Sequence, residues 1–210
     1  PSNSSAASDV YKRQHWQYTF GDDIHRKYTD PLIEEDLRNF LATQYKNKKL
    51  TVAEIDGIVA NLRNTGGQND YYALRNAFLL YRDGYDFTYS DGRNNPFRLE
   101  YIDFEHPDHN IFRCVNQFVM EQGRENRRPD ILLFINGIPV CIIELKNPTK
   151  QNATIRDAHT QICIRYTRDI PTLLKYCALA VISDGAKNAL GTTYTPFEFF
   201  YEWKKIENED

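Results

Sequence analysis

The chain has 210 residues, 41% of them hydrophobic, and a formal net charge of -3. That length and composition suit one domain with a sizeable core, and the charge leaves any nucleic-acid contact to local patches. Its apolar runs fall well short of the roughly 20 residues of a membrane span, and its opening lacks the apolar core of a signal peptide, so a cytoplasmic protein is expected.

Residues 1–14 (PSNSSAASDVYKRQ) are small, polar and without periodicity. They read as a disordered or non-native leader ahead of a single domain over about residues 15–205. Asp30-Pro31 opens a helical pattern carrying Leu37, Phe40, Leu41 and Tyr45, in which Glu34, Glu35 and Asp36 complement the helix N-terminus. Thr51 to Glu54 has the form of a capping box for a helix ending near Asn64. Asn69 to Arg82 predicts a third helix, with Tyr72, Phe78, Leu79 and Leu80 as core candidates and Gly84 as its stop. These make an N-terminal helical part over about 28–83.

Asp91-Gly92 marks a turn between short strands, and Leu99 to Phe104 predicts a strand opening a core over about 97–203. In His106-Pro107-Asp108-His109, Pro107 favours a turn over the helix that would align two histidines, which argues against zinc there. Ile111 to Met120 alternates as a strand does, with Gln117 either at the site or at a surface end. Gly123 to Arg128 is a polar connection whose Arg127 and Arg128 are DNA-contact candidates, or an ordinary solvated loop.

The stretch that organises the chain follows. Asp130 stands before an apolar run, Ile131 to Ile135; Asn136-Gly137 is a tight-turn signal; a second run from Ile138 ends in Glu144-Leu145-Lys146. Both strands are apolar enough to be buried on both faces, so charges at their ends need water, a partner or a metal. A strict two-residue turn would set Asp130 opposite Ile143 and on the face away from Glu144. Only a bulge or an odd-length turn brings the two carboxylates together, so one is expected. They would then suit Mg²⁺, with the Leu145 backbone carbonyl as a further oxygen and Lys146 assisting the attacking water and the developing phosphate charge.

Pro129-Asp130 with Glu144-Leu145-Lys146 resembles the PD-(D/E)XK nuclease signature. The wider stretch NRRPDILLFINGIPVCIIELKNP is similar to the N-terminal nuclease domain of the type I restriction enzyme R (motor and endonuclease) subunit, as are Asp169-Ile170-Pro171 and Val181 to Gly185. The likeness runs from about Tyr28 to Trp203. It implies an α/β, restriction-endonuclease-like core with a mixed central sheet flanked by helices. It also implies Mg²⁺-dependent cleavage of double-stranded DNA, with methylation and specificity subunits as partners. Asp130, Glu144 and Lys146 would be catalytic. Glu35 would be the extra glutamate such nucleases often carry on a first core helix, and Lys150 is another DNA-contact candidate. A nuclease-fold module that only binds DNA or docks a subunit is the alternative.

Beyond the hairpin, Ala153 to Arg168 predicts a helix with Ile155, Ala158, Ile162 and Tyr166 as its core stripe. The resembled branch often carries Q-x-x-x-Y here, but Gln161 and Tyr166 are one residue too far apart. On a regular helix they would sit about 140° apart rather than about 40°. Either a π-bulge restores the common face, or one residue alone takes part; Arg165 is a substitute phosphate contact. Ile170 to Tyr176 suggests a short helix, and Cys177 to Ser183 a buried strand parallel to a hairpin strand. Cys114, Cys141 and Cys177 sit in apolar runs as small buried hydrophobes of a reduced protein. Thr192 to Tyr201 reads as an edge or covering segment, and 206–210 as a charged tail leading toward an absent motor. No G-x-x-x-x-G-K-[ST] loop exists, so ATP would act only through that motor.

Overall fold

A computed structural model of the chain describes residues 16–147 and 154–203. A seven-stranded mixed sheet runs through it in the order β1-β4-β7-β8-β9-β10-β11. The strands are β1 (Gln17–Phe20), β4 (Phe112–Asn116), β7 (Ile131–Ile135), β8 (Ile138–Leu145), β9 (Leu179–Ser183), β10 (Asn188–Gly191) and β11 (Tyr201–Glu202). Parallel pairing joins β1 to β4 and β8 to β9; the other neighbours are antiparallel. Two small hairpins stand apart from it, β2 (Tyr85–Phe87) with β3 (Phe97–Leu99), and β5 (Met120–Gln122) with β6 (Glu125–Arg127).

The N-terminal helices form where capping and periodicity predict them. They are α1 (Glu34–Gln44), α2 (Val52–Asn64) and α3 (Asp70–Asp83). Thr51 and Glu54 close both halves of the capping box, and Asn69 caps α3 by accepting from the Tyr72 N–H. Leu37, Leu41, Ile58, Leu62, Ala77 and Tyr81 bury against Tyr101 and the hairpin residue Ile138. Tyr72, expected in the core, is instead exposed, because the inward stripe of α3 runs through Ala77 and Tyr81.

Behind β8 the chain crosses over through α4 (Ile155–Thr160), a π-helical segment (Gln161–Tyr166), α5 (Thr167–Asp169) and α6 (Pro171–Leu174) before returning as β9. Ala158, Ile162 and Tyr166 pack on Leu132, Ile142, Ala180 and Ile182, the sheet residues of one parity. Ile131, Cys141 and Ile143, of the other parity, form a separate cluster with Cys114 on the opposite face. Cys114, Cys141 and Cys177 are buried, and all four cysteines are free thiols.

Three local expectations need correcting. The strand over Leu99 to Phe104 ends at Leu99, although Tyr101 and Ile102 are still buried. The alternation from Ile111 stops at Asn116, because Gln117 turns into the left-handed region at φ 56°. Residues 123–128 are not a plain connection: they carry the return strand β6. The leader 1–14, Ala153 and the tail 206–210 lie outside the described residues. No helix among the described residues is long and apolar enough to cross a membrane.

Candidate active site

The β7–β8 hairpin turns through Asn136 (φ 51°) and Gly137 (φ 76°), the two positive φ values of a type I′ turn. Ile135 faces Ile138 across it, so the turn has two residues. The register then slips: Phe134 pairs with Pro139 but Leu133 with Cys141, leaving Val140 as a bulge. From there Leu132 faces Ile142 and Ile131 faces Ile143, so Asp130 comes level with Glu144 on the same face. The expected bulge is present, and it turns two carboxylates toward each other.

Asp130 is held from both strands. Its Oδ2 accepts from the Leu145 N–H at 2.9 Å and its Oδ1 from Gln117 Nε2 at 3.2 Å, while its carbonyl accepts from the Gln117 N–H at 3.0 Å. The left-handed backbone at Gln117 makes this double grip possible. No periodicity in the sequence signals such a φ. Gly21 packs against that same turn; a Cβ there would lie 2.5 Å from the Gln117 carbonyl oxygen.

Glu144 is only 2% exposed. Burial first, then the charge of Asp130 and a hydrogen bond shared with it, raise its carboxyl to about 7 against the pull of Lys146. Lys146 Nζ donates to Glu144 Oε1 at 3.0 Å and to Gln161 Oε1 at 2.5 Å. Gln161 Nε2 donates to the Tyr166 hydroxyl at 2.6 Å, and that hydroxyl reaches Glu144 Oε2 at 3.4 Å. The four side chains form a closed ring. Burial, then the nearby Glu144, raises the Tyr166 hydroxyl well above its ordinary value, so it stays protonated and able to donate.

The ring depends on the π-helical turn. Gln161 and Tyr166 are its first and last residues, and the Thr167 N–H bonds back to the Ile162 carbonyl, five residues earlier. The wider turn brings onto one face two side chains that an α-helix would separate. The backbone of β8 is anchored on the other side, where the Lys146 N–H donates to the Ser183 carbonyl at 2.8 Å.

The remaining candidates are not gathered here. Glu35 is exposed on α1, whose N-terminus lies at the turn end of the hairpin, where the Ile33 N–H donates to the Gly137 carbonyl. A whole strand length separates it from Asp130, which corrects the expectation that it joins the carboxylates. Arg127 is engaged elsewhere: Nε donates to buried Asp169 at 2.7 Å and Nη2 to Glu125 at 2.5 Å, pinning β6 to α5. That clamp gives Arg127 a structural role beside the DNA contact expected of it. Arg128 and Arg165 are exposed, and Lys150 lies outside the described residues.

A family model, type I restriction enzyme R protein N terminus, matches residues 3–199. The chain belongs to this family. As a member of the R protein N-terminal family it is 36% identical over 163 residues to a Methanocaldococcus jannaschii protein named for the endonuclease subunit of the type I restriction enzyme MjaIXP; the match covers 76% of the chain and 15% of that relative. It is 28% identical over 205 residues to the type I restriction enzyme HindI endonuclease subunit of Haemophilus influenzae, covering 93% of the chain and 19% of the relative. The EcoprrI endonuclease subunit of Escherichia coli is 32% identical over 133 residues, 59% of the chain and 40% of that protein. The chain thus spans less than a fifth of the first two relatives.

Proposed function

We propose that this chain is the endonuclease domain of a type I restriction enzyme R subunit, with a PD-(D/E)XK core that hydrolyses phosphodiester bonds of double-stranded DNA with Mg²⁺. The observation that carries this reading is the bulge at Val140, which brings Asp130 and buried Glu144 to one point beside Lys146. The donor set fits the ion. Two carboxylates crowd each other so that one resists ionising, which a divalent cation would relieve. Along a strand the N–H and C=O of one residue point the same way, so the Leu145 carbonyl, like its N–H, is directed toward Asp130.

Asp130, Glu144 and the Leu145 carbonyl would hold the ion. Bound there, Mg²⁺ would supply Lewis acidity, polarising the phosphodiester and making water more acidic. Lys146, steered by Gln161 as well as Glu144, orients the attacking water and offsets negative charge growing on the phosphate. Tyr166 donates to Glu144 and fixes the oxygen it presents. Gln117 and the Leu145 N–H hold Asp130 in place. Arg128, Arg165 and Lys150 are the proposed phosphate-backbone contacts. The rest of the subunit would supply the ATP-driven motor, and methylation and specificity subunits would complete the enzyme.

The test is plasmid cleavage by the full subunit with its partners, comparing wild type with Asp130→Ala, Glu144→Ala and Lys146→Ala. Each is expected to abolish cutting while leaving assembly and ATP hydrolysis intact. Undiminished cutting in all three overturns the catalytic reading. A nuclease-fold module that only binds DNA or docks a subunit is the second reading; the pairing of Arg127 with Asp169 and the chain's net charge of -3 favour docking over DNA binding within it. Either form predicts no Mg²⁺ binding, and the DNA-binding form adds salt-dependent DNA affinity.

A further inference from the structure

A second group of ligand-type side chains lies beyond the turn end of the hairpin, remote from Asp130 and Glu144. Pro107 does break the helix, as expected: residues Pro107–His109 form a single 3₁₀ turn. The turn nevertheless brings both histidines over a residue that their own spacing does not reveal. His109 Nδ1 lies 3.0 Å from Asp103 Oδ2, and His106 Nδ1 lies 3.7 Å from Asp103 Oδ1. One donor-type atom from each of the three residues falls within 4.8 Å of the others. The imidazoles stack with centroids 4.9 Å apart, and both side chains open to solvent.

Asp103 is 4% exposed and firmly held. Gln44 Nε2 donates to Oδ2 at 2.8 Å and the His106 N–H to Oδ1 at 2.8 Å. Burial works against its charge, but those hydrogen bonds and the two imidazoles outweigh it, so the carboxyl stays ionised. Among the described residues, the ion-pair partners of Asp103 are the two imidazoles. A histidine nitrogen facing a carboxylate oxygen at 3.0 Å either donates its N–H to it or shares a metal ion with it. Two nitrogens facing one carboxylate can share a single divalent ion. Ligand atoms about 2.0–2.1 Å from a tetrahedral ion lie roughly 3.3–3.4 Å from one another. Each histidine nitrogen stands near that spacing from a different Asp103 oxygen, 3.0 Å from Oδ2 and 3.7 Å from Oδ1, so a side-chain adjustment would set both against one ion.

We propose that Asp103, His106 and His109 form a surface site for a borderline transition-metal ion of the Zn²⁺ class, with an open position to water, that pins the loop entering β4. Two nitrogens and one carboxylate oxygen suit such an ion and not Mg²⁺, which takes hard oxygen ligands. The loop matters to the hairpin through Asn110. It accepts from the Asp103 N–H at 2.9 Å, and its Oδ1 also accepts from Asn136 Nδ2 at 2.8 Å, in the β7–β8 turn. A cation on Asp103 therefore braces the turn end while the proposed catalytic carboxylates lie at the other.

The experiment uses the full subunit, stripped of metal by chelator, in an Asp130→Ala/Glu144→Ala background that removes the other carboxylate pair. Co²⁺ is titrated and followed by its visible ligand-field bands, and Zn²⁺ by competition. One equivalent with nitrogen-type bands is expected, together with a Zn²⁺-induced rise in Tm. His106→Ala/His109→Ala in that background should weaken binding at least tenfold and erase the Tm rise. Both histidines are solvent-facing, so the variant folds; equal unfolding midpoints without metal check this. Binding unchanged by the histidine substitutions, or no binding in the parent, overturns the proposal. Either result is independent of plasmid cleavage by the wild-type site.

Discussion

The two ends of the β7–β8 hairpin bury polar groups in opposite ways. At the turn end, Asn136 is fully buried and neutral, and its amide is satisfied: Oδ1 accepts from the Ile111 N–H at 2.7 Å, while Nδ2 donates to the Tyr101 carbonyl at 2.9 Å and to Asn110. At the open end, Glu144 is equally buried but is a carboxyl set against another carboxylate. The first arrangement stabilises one conformation, since every donor and acceptor has a neutral partner. The second withholds stability from the ionised protein and would be relieved by a cation. The same strands thus carry a structural end and an end that the proposed function makes reactive.

The largest expected effect tests the structural end. A Cβ on Gly137 would lie 2.1 Å from the Ile33 carbonyl oxygen, at a φ of 76°. Gly137→Ala should cost about 2–4 kcal/mol in chemical denaturation, from strain and from lost docking of α1. A loss below about 1 kcal/mol would show that the turn does not anchor that helix.

At the reactive end the same measurement should move the other way. A carboxyl raised from 4.5 to about 7 in the folded protein destabilises it above pH 7, less so on descending through that value, and not at all below the unfolded pKa. Glu144→Gln should therefore stabilise the metal-free protein at pH 8, by up to about 3 kcal/mol. The gain should vanish near pH 4.5. A destabilised variant at pH 8 would place the dominant interaction with Lys146 rather than with burial.

Smaller effects sharpen the contrast. A bound cation must displace the Glu144 proton, so Mn²⁺ affinity, read calorimetrically, should rise roughly tenfold per pH unit below about 7 and level off above it. A flat profile would mean the carboxylate pair is not the binding site. Gln117→Gly keeps the left-handed backbone but removes the side-chain grip on Asp130. It should lower Mn²⁺ affinity about tenfold with stability within about 0.5 kcal/mol of wild type. Unchanged affinity would leave the Leu145 N–H as the sufficient anchor.

Much of this site is legible in the chain itself. Asp130, Glu144 and Lys146 stand out because charges at the ends of apolar strands need a reason, and the need for a bulge follows from the two-residue period of a strand. The excess residue between Gln161 and Tyr166 leaves two outcomes open, a π-bulge or a single participant, and the π-helical turn over Gln161–Tyr166 is the first of them. Gln117 was less legible, because its role rests on one backbone dihedral. Glu35 and Arg127 stand away from the carboxylate pair for a common reason. Each has the right charge in the right order along the chain, but α1 docks at the far end of the hairpin and Asp169 captures the guanidinium.

Local chemistry along the chain determined the capped helices, the Asn-Gly turn, the buried hairpin and the parity that sets Glu144 and Lys146 on one face. Those features depend on neighbours a few residues away, within reach of dihedral preference and periodicity. Only the tertiary structure decided that Asp130 crosses to that face, that Gln161 and Tyr166 close a ring with Glu144 and Lys146, and that Asp103 meets two histidines. Each of these is set by a bulge, a π turn or a loop closure. Their geometry is chosen by packing among distant segments, and so no single stretch of sequence encodes it.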